Sequence, residues 1–382
     1  MNVRTLKHPA ARYDVDYSQR YNLQSWGENN LYPQHLMRIT QASGTAELCL
    51  NRYAKFIEGD GFKDSFAGVQ FNRYGTTADE LLHNIAQDVA RFGGFALHIN
   101  YNALLEPCEL QHIPFEQCRL EECDDAGYVS HICLHPDWQG KVTRNGEKVR
   151  LEEKNIDRIA VFNPDKWVVA RQIADAGSIS QYKGQVLWCS MAGRNEYPLP
   201  IYDACVSDIS TDEGLGNIKN RNARNNFLVS CMLVTKKGVP HIDENGHEVT
   251  SKMISDEDLL AFQGDERVAK IMSVELENDE DKPEVIPFPN ANYDKDFSVT
   301  DSSVIERIYA QFHQELFHAI RIGKLGFSGD VMRDAYEYYA GEVTNEQRFI
   351  SRNLSLVLGA WTDPLLHNAD TTILSLRYLK TE

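Results

Sequence analysis

Ser25-Trp26-Gly27-Glu28-Asn29-Asn30-Leu31-Tyr32-Pro33, followed by Tyr53-Ala54-Lys55-Phe56-Ile57-Glu58-Gly59-Asp60-Gly61-Phe62, is the stretch on which the reading of this chain turns. Its first half is a polar turn that ends in a helix start. Gly27, Asn29 and Asn30 tolerate unusual backbone angles, and Pro33 presets φ where a helix leaves its first N–H groups unpaired. Leu36 and Ile39, then Leu48, Leu50 and Tyr53 after a Ser43-Gly44-Thr45 break, supply the apolar faces of two short helices. Gly59 and Gly61 stop the second helix and let the chain turn back beside Phe62.

Downstream, Thr77-Ala78-Asp79-Glu80 is a capping-box pattern. Leu81, Ile85, Val89 and Phe92 continue it at helical spacing to a Gly93-Gly94 stop. Phe95, Leu97, Ile99 and Tyr101 then alternate with smaller or polar residues, so the helix feeds directly into a strand. Short β segments are expected over 109–113, 128–134, 148–151 and 158–162, with turns at Asp124-Asp125-Ala126-Gly127 and Arg144-Asn145-Gly146-Glu147. A second long helix is expected from near Pro200 to Asn226, about 39 Å at 1.5 Å per residue. Its last ten residues are mostly polar and include Lys219, Arg221 and Arg224. Strands over 227–234 and 270–276 flank a turn at Glu244-Asn245-Gly246 and a short helix opening at 255–258. A Ser303 to Glu306 capping pattern then opens a helix bearing Ile308 and Phe312. Helices over 329–341 and 345–358 and a terminal strand over 371–379 complete the expectation.

The chain has 382 residues, of which 42% are hydrophobic and 10% aromatic, enough for two or three compact modules and too apolar for global disorder. No apolar run approaches the roughly 20 residues that span a bilayer, and the N-terminal stretch has no signal-peptide core, so a soluble intracellular protein without membrane contact is expected. Eight cysteines without a C-x-x-C pair read as reduced, packed thiols. Lys and Arg number 39 against 56 Asp and Glu, a net charge of −17. Such a chain is a poor candidate for wrapping nucleic acid tightly, because phosphate binding needs a local excess of cations.

Several residue sets could carry chemistry. Cys108, His112, Cys118, Cys123, His131, Cys133 and His135 fall close together, and zinc favours tetrahedral Cys/His sets, although their spacings match no usual ligand pairing. They define the alternative reading, an intracellular zinc-containing enzyme or binding protein. His313 and His318 are five apart, which does not place two ligands on one helical face. Gly59-Asp60-Gly61 lacks the strand, helix and Lys-Ser/Thr of a phosphate-binding loop. No catalytic residue, cofactor or metal is expected.

The opening stretch resembles the N-terminal part of tailed-bacteriophage portal proteins, where a Gly-Glu-Asn-Asn-x-Tyr-Pro element precedes helices ending in Ile-x-Gly-x-Gly-Phe. Further resemblance lies, in order, at Phe92-Gly93-Gly94-Phe95-Ala96-Leu97, Tyr197-Pro198-Leu199-Pro200-Ile201-Tyr202, Asn225-Asn226-Phe227 and Leu325-Gly326-Phe327-Ser328-Gly329-Asp330. The resemblance implies an α+β portal-type fold. Its parts would be an N-terminal wing portion (1–76), a first stem helix with its strand (77–102), a clip-like β insertion and return (103–198), and a second stem helix (199–227). A wing α/β segment (228–301), with a tunnel loop near 290–300, and a C-terminal helical crown with a terminal strand (302–382) would follow. It further implies a homo-oligomeric ring, usually dodecameric, at one capsid vertex of the virion, assembled in the host cytoplasm. Double-stranded DNA would pass through the ring, and its partners would be the terminase large subunit, a head-tail adaptor, and the major capsid and scaffolding proteins. Within that frame, Lys219, Arg221 and Arg224 are candidate DNA-channel residues, or else a solvated or subunit-contact face. Glu121, Glu122, Asp124 and Asp125 are candidate motor-docking residues, or else ordinary turn charge.

Overall fold

The computed structural model describes residues 17–18, 21–27, 29–139, 143–144, 147–148, 151–193, 196–224, 232–236, 240–242, 248–250, 272–276, 293–326 and 328–378, with side chains outside 17–18, 143–148 and 221–299. The helices are α1 (Tyr32–Ala42), α2 (Gly44–Glu58), α3 (Asp64–Ala67), α4 (Ala78–Phe92), α5 (Lys166–Ala176), α6 (Val206–Arg224), α7 (Tyr293–Gln311), α8 (Glu315–Arg321), α9 (Gly329–Glu342), α10 (Thr344–Leu358) and α11 (Pro364–His367). The strands are β1 (Tyr17–Ser18), β2 (Leu23–Gln24), β3 (Gly94–Tyr101), β4 (Pro107–Ile113), β5 (Cys118–Leu120), β6 (His131–Leu134), β7 (Thr143–Arg144), β8 (Glu147–Lys148), β9 (Asp157–Val161), β10 (Gln185–Ser190), β11 (Met232–Lys236), β12 (Pro240–Ile242), β13 (Glu248–Thr250) and β14 (Met272–Leu276). The fold class is α+β. Two compact units are formed by residues 1–210 with 304–382 and by residues 211–303.

The larger unit is organised by a six-stranded sheet of order β4-β3-β10-β9-β6-β5. β10 runs antiparallel to β3 and parallel to β9, and α5 makes the crossover that a parallel neighbour requires. All six residues of β10 are buried, as is most of β3, so the middle of the sheet is covered on both faces. α4 is set by the anticipated capping box: the Glu80 amide donates to Thr77 Oγ1 (3.2 Å) and the Thr77 amide to Glu80 Oε2 (2.9 Å). Leu81, Leu82, Ile85, Val89 and Phe92 form its buried face, and Gly93, at φ +83°, ends it in the left-handed region. Directly after, a Cβ at Gly94 would stand 2.5 Å from the Cys189 carbonyl oxygen, so only glycine lets β3 enter against β10.

The C-terminal helices close the same unit onto α2. Gln314 is fully buried, and its amide donates to the Cys49 carbonyl and to Tyr339 Oη, both at 2.8 Å. Tyr53 donates to Glu346 Oε1 (2.9 Å), and Phe56 lies edge-on to Tyr339 with centroids 4.9 Å apart. Each such aromatic side chain taken from water contributes on the order of 1.5–3 kcal/mol.

The smaller unit holds two strand pairs, parallel β11·β14 and antiparallel β12·β13, between the segments of α6 and α7 that fall within it. Lys219 Nζ on α6 lies 2.7 Å from Asp301 Oδ1 on α7.

Several sequence expectations change. The segment 103–198 was expected as a β insertion distinct from the helices, yet its strands share one sheet with β3 inside the larger unit. α5, capped by Asp165 Oδ1 accepting from the Trp167 amide (2.9 Å), was not foreseen. The second long helix starts at Val206 rather than near Pro200, because a 3-10 turn (Asp203–Cys205) intervenes, with the Asp203 amide donating to the Pro200 carbonyl (3.0 Å). Residues 293–300, placed in a tunnel loop, are the first turns of α7, so the Ser303 to Glu306 pattern lies inside a helix rather than at its start. The terminal segment 371–378 is extended but not a strand; it is held to the Gly59–Gly61 turn by two backbone hydrogen bonds. The short helix expected at 255–258 and the turn at Glu244-Asn245-Gly246 lie outside the described residues.

Candidate functional site

Three of the blocks that carry the resemblance, those holding Trp26, Phe92 and Tyr197, meet in the larger unit around Trp26. This residue is fully buried, stacked on Tyr197 (centroids 4.5 Å apart, 13° between planes) and edge-on to Phe115 and Trp188. Gly27, at φ +78°, and Asn30, at φ +57°, form the turn around it. Asn30 Oδ1 accepts from the Trp26 amide at 2.9 Å and from Arg119 Nε at 2.5 Å. Tyr32 donates to Asp203, which ties the start of α1 to the turn before α6.

Arg119 on β5 is the polar centre of this hub. It is fully buried, and its guanidinium donates to the carbonyls of Asn30 (2.6 Å), Glu116 (2.9 Å) and Cys118 (2.7 Å) and to Gln34 Oε1 (3.2 Å), besides Asn30 Oδ1. Trp26 and Trp138 flank it at 5.5 and 5.0 Å. Every acceptor is a neutral oxygen, and burial lowers the guanidinium pKa to about 10. Sequence reasoning passed over this residue, since a single arginine between Cys118 and Leu120 gives no sign that it will be buried.

Neighbouring blocks have equally structural roles. Tyr197 Oη donates to the Gln24 carbonyl (2.7 Å) and accepts from the Leu120 amide (2.8 Å). Tyr202 donates to the Arg91 carbonyl (2.7 Å) and stacks on Phe312. In the Gly59-Asp60-Gly61 turn, the Asp60 amide donates to the Leu374 carbonyl (2.8 Å), and the Leu374 amide to the Gly61 carbonyl (2.9 Å). The Phe62 amide reaches Asp79 Oδ1 (2.9 Å), so this turn grips the chain's own C-terminal segment and α4. Ser328 caps α9. Asn225, Asn226, Phe227 and Phe327 lie outside the described residues.

The Cys/His set is dispersed among other partners. His112 Nε2 lies 2.7 Å from Asp88 Oδ2, and His131 Nδ1 lies 2.7 Å from Glu121 Oε2. His135 Nδ1 accepts from the Asp137 amide at 3.1 Å. Cys118 and Cys133 are buried, and burial pushes the Cys133 thiol up to about 11; Cys108 is exposed. Among the described residues no group of three or more His, Cys, Asp and Glu side chains could hold a metal ion. His313 lies 2.9 Å from Glu342 Oε2, while His318 stacks on Tyr309, so those two histidines serve different contacts.

The docking acids separate into two kinds. Glu121 is mostly buried, its carboxylate accepting from Arg158 Nη1 (3.0 Å) beside His131, and therefore braces β5 against β6 and β9 instead of facing a partner. Asp124 Oδ1 accepts from the Ala126 and Tyr128 amides (2.9 and 2.8 Å) and shapes its turn. Glu122, Asp124 and Asp125 are exposed. Of the channel candidates, Lys219 is exposed and ion-paired with Asp301; Arg221 and Arg224 are helical, with side chains outside the described residues.

Among the described residues, no helix is long and apolar enough to cross a membrane. No protein-family model matches the sequence, and no curated protein does. Among solved structures, the chain is similar to one from the neck of an empty GTA particle (13% identity, TM-score 0.45), covering 86% of this chain and 81% of that one. A chain from the virion of a native gene transfer agent (GTA) particle is similar at 13% identity and TM-score 0.44, over 87% of this chain and 85% of that one. An HK97-family phage portal protein from Corynebacterium diphtheriae is similar at 9% identity and TM-score 0.29, over 80% and 85%.

Proposed function

We propose that this chain is a portal-type subunit that assembles with copies of itself into a ring at one virion vertex, conducts double-stranded DNA, and has a mechanical rather than catalytic role. The observation that carries the reading is the ordered set of sequence blocks from Ser25 to Asp330, of which those holding Trp26, Phe92 and Tyr197 meet in one aromatic cluster. Docking of the terminase large subunit during filling and of a head-tail adaptor afterwards belongs to the same proposal, as do contacts with capsid and scaffolding proteins.

The order of α6, the strand pairs within 211–303 and α7 supports reading these elements as stem, clip and stem. We therefore assign the clip-like part to that unit rather than to 103–198. Arg221 and Arg224 remain the channel candidates, Lys219 being neutralised by Asp301. With the clip-like part in 211–303, the exposed Glu122, Asp124 and Asp125 fit ordinary turn charge better than a motor-docking surface.

Negative-stain imaging of the purified protein tests the reading. Rings with a central hole are expected, and Arg221→Gln with Arg224→Gln should leave rings intact while altering DNA retention. A 43.5 kDa species alone at every salt and protein concentration, with scaffolding protein present, would overturn it.

A further inference from the structure

Trp167 (83% exposed), Leu365 (82%) and Leu104 (71%) are among the most exposed large apolar side chains of the described residues, and one carboxylate ties their segments together. Glu106 Oε1 lies 3.5 Å from Nζ of Lys166, the neighbour of Trp167 at the start of α5. The same carboxylate accepts from the Thr362 hydroxyl, one turn before Leu365. Leu104 stands at the tip of the β3–β4 hairpin, two residues before Glu106. Asn102 Oδ1 accepts from the Leu104 and Glu106 amides (2.8 and 3.0 Å), and Leu105 is kept at φ +61°, an uncommon conformation for a bulky residue. A strained, well-bonded turn thus holds a leucine out in solvent. Acids edge the patch: Asp165 and Asp363, both exposed, cap α5 and α11 and accept from the Trp167 and Leu365 amides, each at 2.9 Å. With Glu106 they set three carboxylates against the ammonium of Lys166, while Arg171 and Asp175 further along α5 balance each other in charge.

A second apolar surface on the same unit has the opposite edge. Residues 321–326, at the end of α8 and after it, are all exposed. Ile322 and Leu325 are their apolar members, Arg321 and Lys324 their charges, and no acid falls among the six. Arg321 Nη1 donates to the neutral Tyr309 hydroxyl (2.8 Å) and the Lys324 amide to the Ala319 carbonyl (2.9 Å), so this loop is shaped in the single chain.

We propose that the Trp167 patch of one copy of this chain seats on the Ile322–Leu325 loop of the next copy, with Asp165 and Asp363 facing Lys324 and Arg321. Such a contact rests on the ring reading above and gives it a surface. A ring closes through heterologous contacts, which require two different and complementary surfaces on one chain. An apolar centre with charges at its rim is the common make-up of a protein interface. Each copy carries a net charge of −17, so two copies repel overall, and the repulsion is relieved where an acidic edge meets a basic one.

Sedimentation and negative-stain imaging of the full chain test the contact. Trp167→Ala should raise the protein concentration at which half the chains are in rings by about 10-fold or more, as for a tryptophan central to an interface. Lys324→Glu should do the same, and Lys324→Glu with Asp363→Lys in one chain should recover ring formation, which a folding defect would not. All three positions are exposed, so circular dichroism should be unchanged. Rings that form at the wild-type concentration in both Trp167→Ala and Lys324→Glu overturn this contact and leave the ring reading standing, whereas a wild type that never assembles overturns both. Failure of the charge exchange to recover rings overturns the pairing of the two edges. Unchanged rings that no longer enter capsids would give the patch to a capsid protein and overturn its assignment to a second copy.

Discussion

Asn30→Ala removes one oxygen that serves two donors and also places a Cβ-bearing residue without a polar side chain at φ +57°. The Trp26 amide belongs to a fully buried residue, and an orphaned neutral donor there costs about 1–3 kcal/mol. Arg119 keeps four other acceptors, so losing the Nε contact costs about 1 kcal/mol, at the low end for a charged donor. The left-handed backbone adds about 1 kcal/mol for alanine. Together these give about 3–5 kcal/mol for Asn30→Ala, and Asn30→Gly should recover about 1 kcal/mol of it by relieving the backbone alone. Asn30→Asp retains the acceptor and sets a carboxylate against an unmatched cation, so it should cost under about 1 kcal/mol or stabilise. Urea unfolding followed by tryptophan fluorescence reads this directly, because Trp26 and Trp188 lie in the hub, and the m-value should not change. A cost below about 1 kcal/mol for Asn30→Ala, or an equal cost for Asn30→Asp, would refute the account of Arg119 as a buried cation anchored by this turn.

Gly59→Ala would bring a Cβ within 2.0 Å of the Leu374 carbonyl oxygen at φ +66°, so the C-terminal segment should detach, read as lost hydrogen-exchange protection at the Asp60 and Leu374 amides. The Arg73 guanidinium, with help from Asn100, holds the Glu109 carboxyl at about 2, well below its ordinary value. This depressed pKa contributes stability that is present above the ordinary carboxylate range and lost as pH falls through about 2; carboxyl NMR titration should show it, and Arg73→Ala should return Glu109 towards its ordinary value. Native-state alkylation should label exposed Cys108 before buried Cys49, Cys118, Cys133 and Cys189, which should react only on unfolding; mapping by mass spectrometry checks the order.

Sequence alone determined the features whose causes are local. The capping box at Thr77, the break at Ser43, the glycine stop at Gly93 and the helices after Ser328 and Val343 each depend on residues within four positions of one another, so their signals are complete in one short window. The opening turn was legible for the same reason, since Gly27 and Asn30 advertise unusual backbone angles. What those residues serve was decided only by the tertiary structure. Asn30 meets Arg119 across 89 positions, and Tyr197 reaches the Gln24 carbonyl across 173. Neither pairing has a periodicity or a spacing. The sheet order followed the same rule: β9 and β10 are parallel and β3 lies between β4 and β10, so the strands of 103–198 joined the core instead of standing apart. Glu121 looked like its exposed neighbours until β6 and β9 brought His131 and Arg158 to it. Burial and charge pairing are properties of surfaces brought together from distant parts of the chain, and those are settled by packing rather than by neighbouring residues.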